Sequence, residues 1–340
     1  MRVVPTSQKV IARPRGRARA VTRSDLYSLA KPILFRLEAE RAHALGLKLM
    51  GWLPEAKPSG VDLGIRTSIG ELANPLGLAG GFDKTGVHLR TLSRLGFGYL
   101  VAGTITLQPW PGNPKPRVVR NVIERTLVNS LGFPNPGVDE FLRNLSSSKP
   151  TVPVVASISG REAAEIVECY VKVQPSVAAV EVNLSSPNTP RLHDLREIDL
   201  FQSLVDDLSS AKRKPTFLKV PPLLDERQFE AVLRLVETWE NHGFEGVTAC
   251  NSRPVTEPRL ATGTGGYSGP PLFANLILAV RKIRMKTPKP FEINAVGGVS
   301  GSENVKEALA AGATTVQIYT ALVYEGPRLV SRILRELTPH

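Results

Sequence analysis

Little in this chain is suited to cross-linking or to spanning a bilayer. Only two of its 340 residues are cysteine, Cys169 and Cys250. Their separation fits neither a disulfide framework nor a metal knuckle, so a reducing compartment and no metal site are expected. No apolar run reaches the roughly 18 residues that a spanning helix needs. Acid is missing from residues 1–24, which instead hold Arg2, Lys9, Arg13, Arg15, Arg17, Arg19 and Arg23. Those seven cations account for seven of the twelve net positive charges, and the remainder of the chain carries a mild +5. No aromatic or motif context accompanies the basic arm, which argues against a nucleic-acid partner. An anionic membrane surface is the favoured partner for a disordered arm, with an Arg-rich targeting segment as the second reading.

What is present is ordinary for a globular enzyme: hydrophobic residues are 42% and charged residues 22%, with 28 glycines and 28 prolines. Three units follow from the pattern: the arm (1–24), an amphipathic helical extension (25–56) and a main domain (57–340). In the extension, Leu26, Leu29, Ile33, Leu34 and Leu37 fall at helical spacing, and Pro32 predicts a kink or a turn. A second segment gathers Ala44, Leu45, Leu47, Leu49, Met50 and Trp52 beside Arg36, Arg41 and Lys48. This is either a helical pair docked on the main domain or a monotopic membrane contact. Residues 57–72 read as a linker with a short hairpin. Beyond it, eight strand-like runs recur, at 76–79, 99–103, 152–157, 178–182, 216–220, 246–250, 293–296 and 315–319, with amphipathic helices such as 228–240 and 302–311 between them. Eight βα units predict an α/β fold of the TIM (β/α)8 barrel type with its chemistry at the strand ends, and a doubly wound open sheet is the rival.

The strand ends are where polar and glycine chemistry collects. They carry Gly80-Gly81-Phe82-Asp83-Lys84, Thr104, Ser157, Asn183 with Ser186, Lys219, Asn251-Ser252, Gly297-Gly298 and Tyr319-Thr320. The segment NLSSPNTP (183–190) follows an apolar run broken only by Glu181. Its short donors and acceptors pack poorly but suit a small polar ligand, and Ser186 is a candidate base. Gly297-Gly298 and the loop 265–269 invite a phosphate, because glycine lets backbone N–H groups approach an anion. Lys219, inside the apolar run FLKV, would be costly unpaired. It suits a Schiff base, a fixed cation beside the N1–C2 edge of a flavin, or a snorkelling side chain.

Seven ordered segments resemble the dihydroorotate dehydrogenase family: NPLGLAGGFDKTG (74–86), GTITLQPWPGNPKPRVVR (103–120), LVNSLGF (127–133), NLSSPNTP, GTGGYSGPPL (263–272), AVGGVSG (295–301) and VQIYTAL (316–322). The resemblance is to the membrane-associated, quinone-dependent class, because the base position holds Ser186 where the soluble classes carry cysteine. LFRLEAERAH (34–43) also resembles that class's extension. The family oxidises dihydroorotate to orotate in pyrimidine (UMP) biosynthesis, passing a hydride to FMN while a base removes a proton from C5. The resemblance makes Ser186 that base, with Thr189 and Phe133 as relay and lining, and Lys84, Asn129, Asn183, Asn188, Asn251 and Ser252 as the substrate shell. For FMN it implicates Ala79, Gly80, Gly81, Thr104, Ser157, Asn183, Lys219, Cys250, Gly269, Gly297, Gly298, Tyr319 and Thr320. His43, Arg117 and Tyr319 match the quinone tunnel. A peripheral place on the inner membrane is implied, cytoplasmic in a bacterium or mitochondrial in a eukaryote.

The chain departs from the family pattern at several points. Ser157-Ile158-Ser159-Gly160-Arg161 stands where Asn-Ile-Gly-Lys-Asn is usual, and Gly80 replaces a common alanine. Ser130 and Pro134 replace arginine and asparagine, Arg191 a glycine, and Ser252 a threonine. These changes keep a second substrate open: an FMN-dependent barrel oxidoreductase acting on another pyrimidine-like or enone compound. A Schiff-base lyase or aldolase using Lys219 and a non-catalytic membrane flavoprotein are the rivals from other classes.

Overall fold

The structure is a computed structural model that describes residues 25–52, 63–188, 197–288 and 290–337. The basic arm and Thr189 with Arg191 lie outside the described residues. Two short antiparallel strands, β1 (Ile65–Thr67) and β2 (Gly70–Leu72), form the expected hairpin. Ser68 at its turn donates from its N–H and its hydroxyl to the Glu292 carboxylate at 2.6 and 3.0 Å. That contact fixes the hairpin against the N-terminal end of a barrel strand.

Eight parallel strands close on themselves: β3 (Leu76–Leu78), β4 (Tyr99–Ile105), β7 (Val154–Ile158), β8 (Ala179–Asn183), β9 (Thr216–Lys219), β10 (Gly246–Ala249), β13 (Glu292–Val296) and β14 (Thr315–Ile318). Each overlaps one of the eight apolar runs. The β14 to β3 pairing, Val316 to Leu76, closes the ring and removes the open-sheet alternative. Strands buried on both faces read as near-continuous apolar runs, and β4 (YLVAGTI) is buried throughout. Helices cover the outside because their apolar stripes find the sheet. In the helix Glu226–Asn241, Phe229, Val232, Leu233, Val236 and Trp239 face inward. Its N-terminus is capped by the Asp225 carboxylate, which accepts from Gln228 N at 2.8 Å.

The barrel lumen is not purely apolar. Tyr99 Oη and Thr315 Oγ1 are 2.7 Å apart, Thr315 donates to Asn294 Oδ1 at 2.6 Å, and Gln317 Nε2 donates to Tyr99 Oη at 3.1 Å. Gly77 admits the Tyr99 ring, since a Cβ there would lie 2.5 Å from the ring's Cζ.

A second sheet, β11–β12–β6–β5, is antiparallel and roofs the mouth of the barrel. Its members are β5 (Val118–Asn121), β6 (Thr126–Asn129), β11 (Arg253–Thr256) and β12 (Thr264–Ser268). Residues 265–268, read from sequence as part of a loop, are strand residues, Gly266 and Tyr267 being paired on both sides, while Ser268 and Gly269 reach the cavity below. Gly266 is needed there for close approach rather than for an anion: a Cβ would stand 2.1 Å from Ser252 Oγ.

The N-terminal helices α1 (Asp25–Leu34) and α2 (Ala39–Met50) lie against this roof. Pro32 falls in the last turn of α1, and the helix ends two residues later. Arg120 of β5 donates to the carbonyls of Leu34, Phe35 and Leu37, so the roof sheet holds the junction between the helices. Lys31 Nζ donates to Tyr324 O at 2.9 Å, tying α1 to the C-terminal side of the barrel. No described helix is long and apolar enough to cross a membrane.

Candidate active site at the barrel mouth

β8 ends at Asn183, and the segment that follows turns back across the mouth. Asn183 is buried, with Nδ2 donating to Thr104 Oγ1 at 2.9 Å, while its Oδ1 accepts from Ser185 Oγ at 2.8 Å and Ser185 N at 3.2 Å. Asn251 Nδ2, beyond β10, donates to Ser185 Oγ at 2.9 Å. The two serines therefore divide their duties. Ser185 is bound into the scaffold, while Ser186 lines the cavity and its Oγ accepts the Asn188 N–H at 3.2 Å. Asn188 Nδ2 reaches Asn129 O on β6 at 3.1 Å, joining the strand-four loop to the roof.

The enclosed space is a cavity of about 180 Å³. Its roof side is made by Asn129, Phe133, Ser186, Asn188, Asn251 and Ser252, and its floor by Ala79, Gly80, Gly81, Thr104, Asn183 and Lys219. Cys250, Gly269, Gly297, Gly298 and Thr320 also line it. Gly298 has φ +74, and a Cβ there would fall 2.4 Å from Phe273 N, so only glycine fits. Thr320 Oγ1 donates to Ser268 Oγ at 3.0 Å. Burial raises the Cys250 thiol to about 12, which makes it an inert wall group rather than a nucleophile.

One expected residue does not reach the cavity. Ser157 is fully buried behind Thr104, with their hydroxyl oxygens 3.1 Å apart. A serine is too short to reach past Thr104, whereas a longer amide side chain at this place would extend further. Lys219, by contrast, has a partner in Glu181, the residue that interrupts the apolar run before Asn183. Its Nζ lies 3.7 Å from Glu181 Oε1, and both side chains are buried. The visible signal was a charged residue inside a strand buried on both faces.

A second cavity, of about 370 Å³, lies between the barrel mouth and the N-terminal helices, lined largely by apolar side chains. His43, Arg117 and Tyr319 all border it, and Lys84 and Tyr319 border both cavities. His43 Nε2 donates to Phe82 O at 2.7 Å, and the two rings meet edge to face. Burial, then the neighbouring Lys84 charge, lowers the His43 pKa to about 4, so the ring is neutral at pH 7. Arg117 is buried and clasps Glu40 of α2 with Nε and Nη2 at 2.9–3.1 Å. Its Nη1 donates to the carbonyls of Pro111 and Asn113. Glu40 also borders this cavity, and nothing local in the sequence marks it, because its partner Arg117 is 77 residues away in the chain.

Lys84 connects the two spaces. Its ammonium donates to Gly81 O, and burial lowers its pKa to about 8, with Glu40 and Asp83 pulling upward and Arg117 pushing further down. Tyr319 Oη donates to Gly81 O at 3.3 Å, and its ring packs edge to face on Phe82. No cluster of metal-ligating side chains occurs among the described residues.

A closed parallel barrel with a polar, glycine-walled cavity at the C-terminal strand ends is the site of a (β/α)8-barrel enzyme. The sequence profile of the dihydroorotate dehydrogenase family matches residues 66–340, and the chain belongs to that family. A protein from Stenotrophomonas maltophilia (strain R551-3), named dihydroorotate dehydrogenase (quinone), is 34% identical over 92% of this chain and 96% of its own length. One of the same name from Paraburkholderia xenovorans is 34% identical over 92% of this chain and 99% of its own. Among solved structures, the Eimeria tenella enzyme in complex with ferulenol superposes with a TM-score of 0.80 at 27% identity, covering 88% of this chain and 90% of that one. Its ligand-free form gives 0.79.

Proposed function

We propose that this protein oxidises (S)-dihydroorotate to orotate in the de novo route to UMP, with FMN as resident cofactor and a membrane quinone as final oxidant. The carrying observation is the pair of adjoining cavities that share Lys84 and Tyr319 as walls, one ringed by the amides of Asn129, Asn183, Asn188 and Asn251, the other bordered by the N-terminal helices. Two adjoining compartments suit two half-reactions with chemically unlike partners. The relatives' name supports the same assignment.

The first cavity fits FMN. Gly297 and Gly298, both at positive φ, leave backbone exposed for a phosphate, and Thr320 adds a hydroxyl. Lys219 offers a cation at the floor, and Asn183 and Thr104 offer a fixed amide and hydroxyl. Bound there, FMN supplies a two-electron acceptor for the substrate and a donor for quinone.

Lys84 binds the substrate carboxylate, and Asn129, Asn188 and Asn251 read the alternating N–H and C=O edge of its ring. Ser186 Oγ takes the proton leaving C5. A hydroxyl is a weak base, so the site must dry and align it, which the Asn188 N–H contact and the roof sheet do. Thr189 would pass that proton on, and Phe133 lines the same cavity. Leu29 and Ile33 of α1, Leu49 of α2 and Trp52 just beyond it are exposed, an apolar set suited to the inner-membrane surface from which quinone would enter the second cavity. His43 and Arg117 line the tunnel wall, with Arg117 holding α2 through Glu40. A Schiff-base role is not favoured for Lys219, which faces a carboxylate rather than standing as a free amine.

The test is dihydroorotate-dependent reduction of a quinone analogue by purified protein, with fumarate and NAD as competing acceptors. Quinone is expected to be the preferred acceptor. Bound FMN without turnover with any acceptor would overturn the assignment, and preference for fumarate or NAD would overturn the quinone half.

A further inference from the structure

Below the cavity floor, inside the barrel, lies a carboxylate that none of these steps uses. Glu181 stands two residues before Asn183 on β8, so both side chains share the inward face of the barrel. It is 1% exposed, and neither Oε1 nor Oε2 accepts a hydrogen bond from a described residue. Ser157 and Phe217 are its neighbours on the flanking strands. A Cβ at Gly80 would stand 3.6 Å from Oε1 and 3.6 Å from Ser157 Cβ. Gly80 and Ser157, two of the positions at which this chain departs from the family pattern, therefore both border Glu181.

A buried carboxylate without donors is expensive, and in this site the compensation comes from one cation, Lys219, with Nζ 3.7 Å from Oε1. The same ammonium lines the cavity floor. Lysine has a flexible four-carbon stem, so its place is set by what it points at. A fixed positive charge at the edge of a flavin, where reduction builds negative charge, favours the reduced form.

We propose that Glu181 is a positioning residue for electron transfer: it anchors the Lys219 ammonium beneath the edge of the bound flavin and so biases that cofactor toward its reduced state. The proposal rests on the FMN reading above. It differs from a purely structural ion pair, which would leave the cofactor's redox equilibrium unchanged. It also differs in sign from simple neutralisation: if Glu181 merely cancelled part of the Lys219 charge, removing it would raise the potential.

The experiment is a spectrophotometric redox titration of FMN bound to the full-length holoprotein, with wild type, Glu181→Gln, Glu181→Asp, Lys219→Met and the Gln/Met double variant. Glu181→Gln is expected to lose roughly tenfold in preference for reduced over oxidised FMN, a fall of about 30 mV for a two-electron couple. Glu181→Asp should fall less, and Glu181→Gln should add nothing in the Lys219→Met background. An unchanged or raised potential in Glu181→Gln overturns the proposal, as does an effect that persists without Lys219. If the Gln variant does not fold, an unchanged potential in Glu181→Asp has the same consequence. Wild-type protein lacking flavin absorbance would instead overturn the cofactor reading itself.

Discussion

Ser186 shows how one side chain acquires a role from its neighbours. Of two adjacent serines, one spends its hydroxyl on Asn183 and accepts from Asn251, and the other faces the cavity. Ser186→Ala should keep FMN bound while flavin reduction by dihydroorotate slows roughly 10²–10⁴-fold, the range for loss of a general base. Stopped-flow bleaching of the flavin measures this, and an unchanged rate would remove Ser186 from the role. Lys84 predicts a pH dependence. With its pKa lowered to about 8 by burial, the free enzyme loses the ammonium as pH rises through that value. The kcat/KM for dihydroorotate should be level below pH 8 on this limb and fall about tenfold per unit above it. A profile flat to pH 10 would exclude Lys84 as the carboxylate partner. On stability the sign is opposite: between about 8 and the ordinary lysine range the unfolded chain binds more protons, so this group makes stability rise with pH across that window. At this scale most strand-end groups named from the sequence lie around one cavity. It did not reveal that Ser157 hides behind Thr104, nor that Lys219 answers to Glu181, because both depend on which residues oppose each other across neighbouring strands.

Among the elements, the barrel strands were legible because strands buried on both faces leave continuous apolar runs, each ending in polar residues. The roof sheet was not. β5, β6, β11 and β12 are short, and β5 and β11 contain no fully buried residue, so they leave no periodic signal. The glycines of β12 mimic an anion loop in sequence, yet the roof uses them to bring strand and Ser252 together. The N-terminal helices carry an ambiguous pattern, suited either to docking or to a membrane. The structure shows docking through Arg117–Glu40 and Arg120 together with exposed Leu29, Ile33 and Trp52. Deleting residues 1–53 should therefore reduce quinone turnover far more than flavin reduction by dihydroorotate. Equal loss in both half-reactions would assign these helices a folding role instead.

For the whole molecule, the cofactor is expected to contribute to stability as well as chemistry, since its cavity is assembled from seven of the eight strand ends and from the roof. Removing FMN should lower the Tm, and adding it back at about 100 times its Kd should restore about 2.7 kcal/mol. Differential scanning calorimetry of apo and reconstituted protein reads this; coincident transitions would show that FMN is not held in the native cavity. Sequence alone determined the eight βα units and the chemical character of each strand end, because burial and periodicity are local consequences of residue type. Closure of β14 on β3, the meeting of two cavities at Lys84 and Tyr319, and the pairing of Glu181 with Lys219 were decided only in three dimensions. Each joins groups far apart in the chain or on separate strands, and only the register of the closed barrel sets their distance.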